Sequence, residues 1–462
     1  MKPVLPVFRG PQHDARSLAL QVLLDCRSHE AFVQEVLDRH LSQSPLSPPD
    51  RRLATQLAYG VMRRRGTLFA LLKPLIAREP RQVEAWLWDV LGLGAFQLAF
   101  LQHMPAHAAL HETVELAERF ERPGAKGFLN GVLRALSRVL TDETASGPAA
   151  DALPIEEGRY RRLARPIFPD PISSPMHYLS AAFGFPEWLA ERWLRRFHAD
   201  ECHRLGFWFA GPAPLTLRCN PLRVERDVFL AECAAQGIAA EPGSAPQSVR
   251  LLDSAPVREL PGFEQGWFAV QDETSMRVAA ALAPAPGSRV LDLCSAPGGK
   301  ATHLAELMGD EGVVIACDVD ERRLQTVEEL ARRLRLKSVR TGLVHPDGAG
   351  VPQGPFDAVL VDAPCSNTGV LGRRPEVRWR LKPDDLRHLS EMQTRLLRLA
   401  VERVRPGGAV VYSTCSIEPE ENRGVVEAVI QTSSGLVCEA EQESMPGLPA
   451  DGGYWARLRR AR

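Results

Sequence analysis

From Arg289 onward the sequence alternates short apolar runs with amphipathic stretches, and this pattern restricts the fold more than any other feature. RVLDL (289–293), VVIACDV (313–319), SVRTGLV (338–344), FDAVLVDAP (356–364) and AVVYSTC (409–415) read as strands. KATHLAELM, ERRLQTVEELARRLRL and LSEMQTRLLRLAVERV read as helices between them. A last helix is expected from about Pro419, where Pro and a string of acids give a helix-start signal. Strands that are apolar throughout, each followed by a helix, imply a parallel sheet covered on both faces. Such a sheet binds ligands at the C-terminal ends of its strands.

The remainder of the 462 residues divides by pattern. Residues 1–140 repeat apolar positions at helical spacing, in ARSLALQVLLDC, RRLATQLAYGVMRRRGTLFALLKPLI, AWLWDVLGLGAFQLAFL and GFLNGVLRALSRVL. They predict an all-helical bundle. Residues 141–175 are rich in Pro, Ala and acids, then basic, and read as a linker. Residues 176–285 mix helices around Pro186 with strands PLTLRCN and SVRLLD, and residues 286–462 form the α/β unit.

Bulk composition narrows the function classes. Hydrophobic content of 45% and charged content of 24% are those of a soluble globular protein. The chain shows neither a signal-peptide pattern nor an apolar run of membrane-spanning length, so a cytoplasmic location is expected. The nine cysteines contain no C-x-x-C pair, so neither a zinc site nor a disulfide framework is expected. The net charge of −1 hides an asymmetry: residues 1–140 carry 18 Lys+Arg against 13 Asp+Glu. A basic N-terminal part suits a polyanionic partner.

The strand ends carry the chemistry. The first ends LDLCSAPGGK, whose Cys294, Ser295, Ala296, Pro297, Gly298, Gly299 and Lys300 let a backbone approach a ligand closely. The spacing is neither G-x-G-x-x-G nor a phosphate-binding P-loop. The second strand ends at Asp318, placed to accept from ribose hydroxyls, and the third leads to Asp347, placed to meet an adenine amino group. Any one of these acids alone reads as a cap or turn residue. With Asp362 they stand at successive strand ends beside a Gly-rich loop, which favours an adenosine cofactor. Without a phosphate motif, that cofactor is S-adenosylmethionine rather than a nucleotide.

The fourth and fifth strands end in VDAPCS and YSTCS, and in the strand order 3-2-1-4-5 they are neighbours. Cys365 and Cys415 therefore point to one cleft. A lone cysteine is more often a small buried residue than a nucleophile; two at this address suggest covalent catalysis. Cytosine carbon-5 becomes nucleophilic once a thiolate adds at carbon-6. That needs an electropositive surrounding for the thiol, such as Lys300, an acid near N3, for which Asp362 stands ready, and a group that helps expel the enzyme, for which Cys365 stands ready.

LDLCSAPGGK, VDAPCSNTGV, RRPEVRW and YSTCSIEPEEN resemble the RNA 5-methylcytosine methyltransferases, as does VQDETS (270–275). The N-terminal helices look like a NusB-type RNA-binding domain, as in the RsmB (Sun/Fmu) class acting on bacterial 16S ribosomal RNA. The resemblance implies a Rossmann-like catalytic domain, S-adenosylmethionine held by residues 294–300, Asp318, Asp347 and Asp362, and Cys415 as nucleophile. It implies no metal, and a monomer acting on unassembled or partly assembled small-subunit RNA. The sequence departs from the family's pattern in FWFAGPAPLTLR and in the ETS that follows VQD. Arg373, Arg374, Arg378 and Trp379 follow the fourth strand and read equally as an RNA contact or a solvated basic loop; Arg63–Arg65 read as an RNA contact or an exposed helix end. Methylation of tRNA, and a non-enzymatic RNA-binding or antitermination role, are the alternatives.

Overall fold

The computed structural model describes residues 14–29, 31–102, 104–253 and 255–461. The chain forms two compact units: Met1–Ala213 with Leu371–Arg380, and Pro214–Val370 with Leu381–Arg462. Among the described residues no helix is long and apolar enough to cross a membrane.

The first unit begins with the expected bundle: α1 (Ala15–His29), α2 (Val33–Ser42), α3 (Pro48–Leu72), α4 (Ala85–Phe100), α5 (Ala106–Arg119) and α6 (Lys126–Val139). Ser47 caps α3, accepting from the Asp50 amide at 3.4 Å, with Pro48 in the first turn. Helix α4 is apolar on nearly every side and packs against α1, α3, α5 and α6, which makes it the core of the bundle.

The segment expected to be a linker is folded. Strands β1 (Leu140–Ala145), β2 (Ala152–Glu156) and β3 (Arg159–Leu163) form an antiparallel sheet in the order β1-β3-β2. Glu156 pairs with Arg159 across a two-residue turn, where Gly158 takes φ 74°. Pro154 is tolerated because β2 lies at the sheet edge. Helices α7 (Pro175–Phe183), α8 (Glu187–Arg196) and α9 (Ala199–Ala210) also belong to this unit. The first compact unit therefore runs through these helices to Ala213.

The strongest departure from expectation concerns residues 371–380, which include α14 (Val377–Arg380) and belong to the first unit. Arg378 is 1% exposed and sits among the aromatic side chains of α7–α9. Its guanidinium donates to the carbonyls of Phe183 (2.9 Å), Phe209 (2.8 Å) and Arg63 (3.2 Å). It is structural and has no free face for RNA. Arg374 lies 4.6 Å over the Phe32 ring, and Arg380 donates to the Ala31 carbonyl at 2.7 Å. Trp379 stays 38% exposed, and Arg373 is half-buried. Arg63 and Arg64 are likewise spent on carbonyls, of Gly372 and of Pro154 and Ile155.

The second unit opens with a small antiparallel sheet: β4 (Leu215–Cys219), β5 (Ala240–Pro242), β6 (Ser248–Leu251) and β7 (Phe268–Val270), in the order β5-β6-β4-β7, with α10 (Arg226–Ala235) packed on it. After α11 (Glu273–Leu282) comes the main sheet. Its elements are β8 (Arg289–Asp292), α12 (Gly299–Leu307), β9 (Val313–Asp318), α13 (Glu321–Arg333), β10 (Val339–Leu343), β11 (Phe356–Asp362), α15 (Pro383–Arg403), β12 (Val404–Thr414), α16 (Arg423–Thr432), β13 (Leu436–Ser444) and β14 (Gly453–Arg460).

The order is β10-β9-β8-β11-β12-β14-β13, so the expected five parallel strands are present and two antiparallel strands extend the edge. Alternate residues of β11 serve opposite faces. Ala358 and Leu360 pack toward α11, α12 and α13, while Val359 and Val361 pack toward α15 and α16. Burial of each such Val or Leu contributes roughly 1.5–3 kcal/mol.

Candidate active site

The parallel register brings the fourth and fifth strand ends level: Asp362 of β11 pairs with Ser413 of β12. Three residues beyond Asp362 stands Cys365, and two beyond Ser413 stands Cys415. Their sulfurs are 3.1 Å apart, and neither is in a disulfide. The two loops are tied together from behind by the buried Glu421. It accepts from the Ser366 amide (2.8 Å), the Ser416 hydroxyl (2.6 Å), the Gln393 amide (3.0 Å) and the Ser366 hydroxyl. This wiring also corrects the expected helix start. Residues 418–422 form turns around Glu421, and α16 begins at Arg423. Glu421 thus braces the Cys415 loop instead of opening a helix.

The Gly-rich loop lies between β8 and α12. The Ser295 amide donates to the Cys317 carbonyl (2.8 Å), the Ala296 amide to the Asp318 carboxylate (3.1 Å), and the Gly298 amide to the Ser295 carbonyl (2.8 Å). Gly298 adopts φ 100°, and a Cβ there would meet Val327 at 3.0 Å, so the loop requires glycine. Cys294 is half-buried, Ser295 and Ala296 are buried, and Pro297 is exposed. Two exposed apolar side chains, Val319 and Leu343, stand at the ends of β9 and β10. The Ser295 hydroxyl is buried beside Asp292. These features fit an adenosine-bearing cofactor. Asp347 lies exposed in the turn after β10, accepting from the Ala349 amide at 2.9 Å, open on its outer side.

Lys300, in the first turn of α12, donates to Asp362 at 2.6 Å, and Ser413 donates to the other Asp362 oxygen at 2.8 Å. Burial by itself would lower the Lys300 pKa. The charge and hydrogen bond of Asp362, then Cys415 and Asp292, outweigh it, and the ammonium is held above its ordinary value. The hydrogen bond to Cys415, followed by burial, pushes the Cys365 thiol well above the usual thiol range, so Cys365 stays protonated.

Three participants escaped the sequence reading. Asp292 ends β8, fully buried, with the Ser295 hydroxyl and the Cys294 amide beside its carboxyl group. Burial and the charge of Asp362 push its carboxyl up to about 7. An acid inside an apolar strand was the signal available for it. Asn367 holds its side-chain oxygen 3.1 Å from Cys415 Sγ, with φ 57°.

Arg218 of β4 is also fully buried. It binds both Glu306 oxygens (2.9 and 2.8 Å), the Gly299 carbonyl (2.7 Å), the Thr302 hydroxyl (3.1 Å) and Gln271. The TLR and VQD segments thus converge on the first turn of α12 and fix the helix that carries Lys300. Asp272 caps α11, accepting from the Thr274 amide at 2.9 Å. The unusual Glu273 clamps the Ser244 amide at 2.7 Å.

Comparison with known proteins agrees with this architecture. Residues 279–446 match the family model for 16S rRNA methyltransferase RsmB/F, residues 13–138 that of the NusB family, and residues 185–258 an RsmF/B-like ferredoxin-like domain. The chain is 34% identical over 419 residues to the probable ribosomal RNA small subunit methyltransferase B of Bacillus subtilis, covering 90% of this chain and 88% of that one. It is 34% identical over 465 residues to ribosomal RNA small subunit methyltransferase B of Escherichia fergusonii, covering 97% and 99%. The crystal structure of PH0851 shares the fold, with a TM-score of 0.76 at 23% identity over 96% of this chain and 98% of that one. The chain belongs to the ribosomal RNA small subunit methyltransferase B family.

Proposed function

We propose that the protein methylates carbon-5 of a cytosine in 16S ribosomal RNA, through a transient bond between Cys415 Sγ and cytosine C6. The observation that carries this reading is the meeting of two cysteines, 3.1 Å apart, beside the Lys300–Asp362 pair. A methyltransferase needs one such thiol only if its acceptor atom must be activated covalently; a second thiol suits the release of that bond.

S-adenosylmethionine supplies a methyl group made electrophilic by a positively charged sulfur. Residues 294–300 and Asp318 would hold it, with Asp347 at the adenine end. Cys415 passes its proton to solvent and adds to C6 as the thiolate, and the electron pair of the C5–C6 double bond moves into the ring toward N3. The Lys300–Asp362 pair faces that edge and supplies the proton that N3 gains. The resulting enamine places electron density on C5. Once C5 carries the methyl group, a solvent base takes the C5 proton and the freed electron pair re-forms the C5–C6 double bond. The C6–S bond breaks with its electrons returning to sulfur, and N3 gives its proton back to the Lys300–Asp362 pair. Cys365, still a thiol, donates its S–H to the departing thiolate.

On this reading the protein works in the cytoplasm, as a monomer, on small-subunit RNA before assembly is complete. Methyl transfer to a 16S transcript, with bisulfite sequencing of the product, tests it. Wild type is expected to protect one cytosine and Cys415→Ala none. Equal methylation by Cys415→Ala overturns the covalent route, and methylation of tRNA alone overturns the substrate.

A further inference from the structure

We infer that Asn367 is a positioning residue that holds Cys415 as a neutral, oriented thiol until the substrate base arrives. The inference rests on the reading of Cys415 as the nucleophile and extends it to how the nucleophile is restrained.

The geometry is specific. Asn367 occupies the left-handed region at φ 57°, which few residues other than glycine adopt and which asparagine tolerates best. Its side chain is locked at both ends. The amide nitrogen donates to the Cys365 carbonyl at 2.8 Å, and the amide oxygen lies 3.1 Å from Cys415 Sγ. Rotating the amide by half a turn would set its oxygen against the Cys365 carbonyl oxygen, so the orientation is fixed by the network. The atom presented to Cys415 is therefore an acceptor. A protonated sulfur can donate to it; a thiolate there would face a carbonyl oxygen. A hydrogen bond made to the neutral form disfavours ionisation.

Other groups act on the same sulfur. Cys365 touches it at 3.1 Å, Lys300 of α12 exerts its charge nearby while bound to Asp362, and Glu421 stands behind the loops that carry both cysteines. Lys300 alone favours the thiolate. Asn367 opposes it, and an incoming base that displaces the amide would release Cys415 only when its C6 is in place. This would protect a half-buried nucleophile from oxidation and alkylation between turnovers.

Site-specific alkylation of the full chain by iodoacetamide, read by peptide mass spectrometry across about pH 6 to 9, tests this. Asn367→Gly keeps the left-handed backbone and removes the amide. Cys415 is expected to alkylate about threefold faster in this variant, the worth of one net hydrogen bond, with its profile moved toward lower pH. Asn367→Asp keeps an acceptor and adds negative charge, and should slow the reaction. Cys438, distant in sequence, serves as the internal reference. An unchanged or slower rate in Asn367→Gly overturns the proposal. So does a shift of both variants in the same direction, which would mark general disruption of the loop. Alkylation reads the thiol itself, so this result is separate from whether Cys415→Ala still transfers methyl groups.

Discussion

Lys300 and Asp362 form a 2.6 Å ion pair that spans from the first turn of α12 to the end of β11. It joins the loop that would hold the methyl donor to the strand end beside the cysteines, so a change at either end reaches both halves of the site.

The two cysteines are expected to fail differently. Cys415→Ala should form no covalent complex with RNA. Cys365→Ala should accumulate one, because release loses its proton donor. Denaturing gels of each variant mixed with 16S transcript and methyl donor distinguish them; an adduct with Cys415→Ala in place of Cys365→Ala would exchange the two roles.

Asp292 sets a pH dependence. Its folded pKa, about 7, lies above that of an unfolded aspartate, so the native state keeps a proton that the unfolded chain releases. The stabilisation is complete below the unfolded value and is lost as pH rises toward 7. Relative to Asp292→Asn, wild type should lose about 1.4 kcal/mol per pH unit between roughly pH 5 and 7, then level off. Urea unfolding at several pH values measures this; parallel profiles for the two proteins would refute it.

Arg218 and Glu306 are both fully buried, and each neutralises the other. Arg218→Met should cost about 3–5 kcal/mol, because it leaves the Glu306 carboxylate uncompensated. Adding Glu306→Leu should recover most of that loss. A double variant no more stable than the single one would show that the hydrogen bonds to Gly299 and Thr302 dominate.

Arg378→Ala should lower stability by about 3 kcal/mol through three lost carbonyl contacts and a cavity among aromatics. It should leave the salt dependence of RNA binding unchanged. Arg373→Ala, if Arg373 meets a phosphate, should flatten that dependence by roughly 0.7 in log–log slope. Binding titrations at several salt concentrations separate the two arginines.

The catalytic sheet was legible because both its faces are covered, which leaves unbroken apolar runs such as Val359–Val361. The strand-end motifs were legible because the parallel topology fixes where they gather. Strand β3, RYRRL, was not, since arginine disguises a central strand when its partners are backbone carbonyls: Arg161 donates to Thr141 at 2.5 Å and to Leu98 at 3.1 Å. The same physics hid Arg378. A basic run reads as surface, and only tertiary packing shows that its donors are consumed. Strand β13 was missed because its edge position leaves many polar side chains in solvent, and β14, paired on both sides, because its arginines interrupt the apolar pattern. Asn367 gave no signal, since a turn asparagine has the same appearance whether or not a thiol lies beside it.

Residues 371–380 carry a consequence for synthesis. They complete the aromatic interior of the first unit, yet they are translated after most of the second has been made. At ribosomal speeds of about 5–20 residues per second, the N-terminal helices wait roughly 10–30 s for Arg378 to emerge. A chaperone that shelters nascent apolar surface would find its longest-lived client state in that interval.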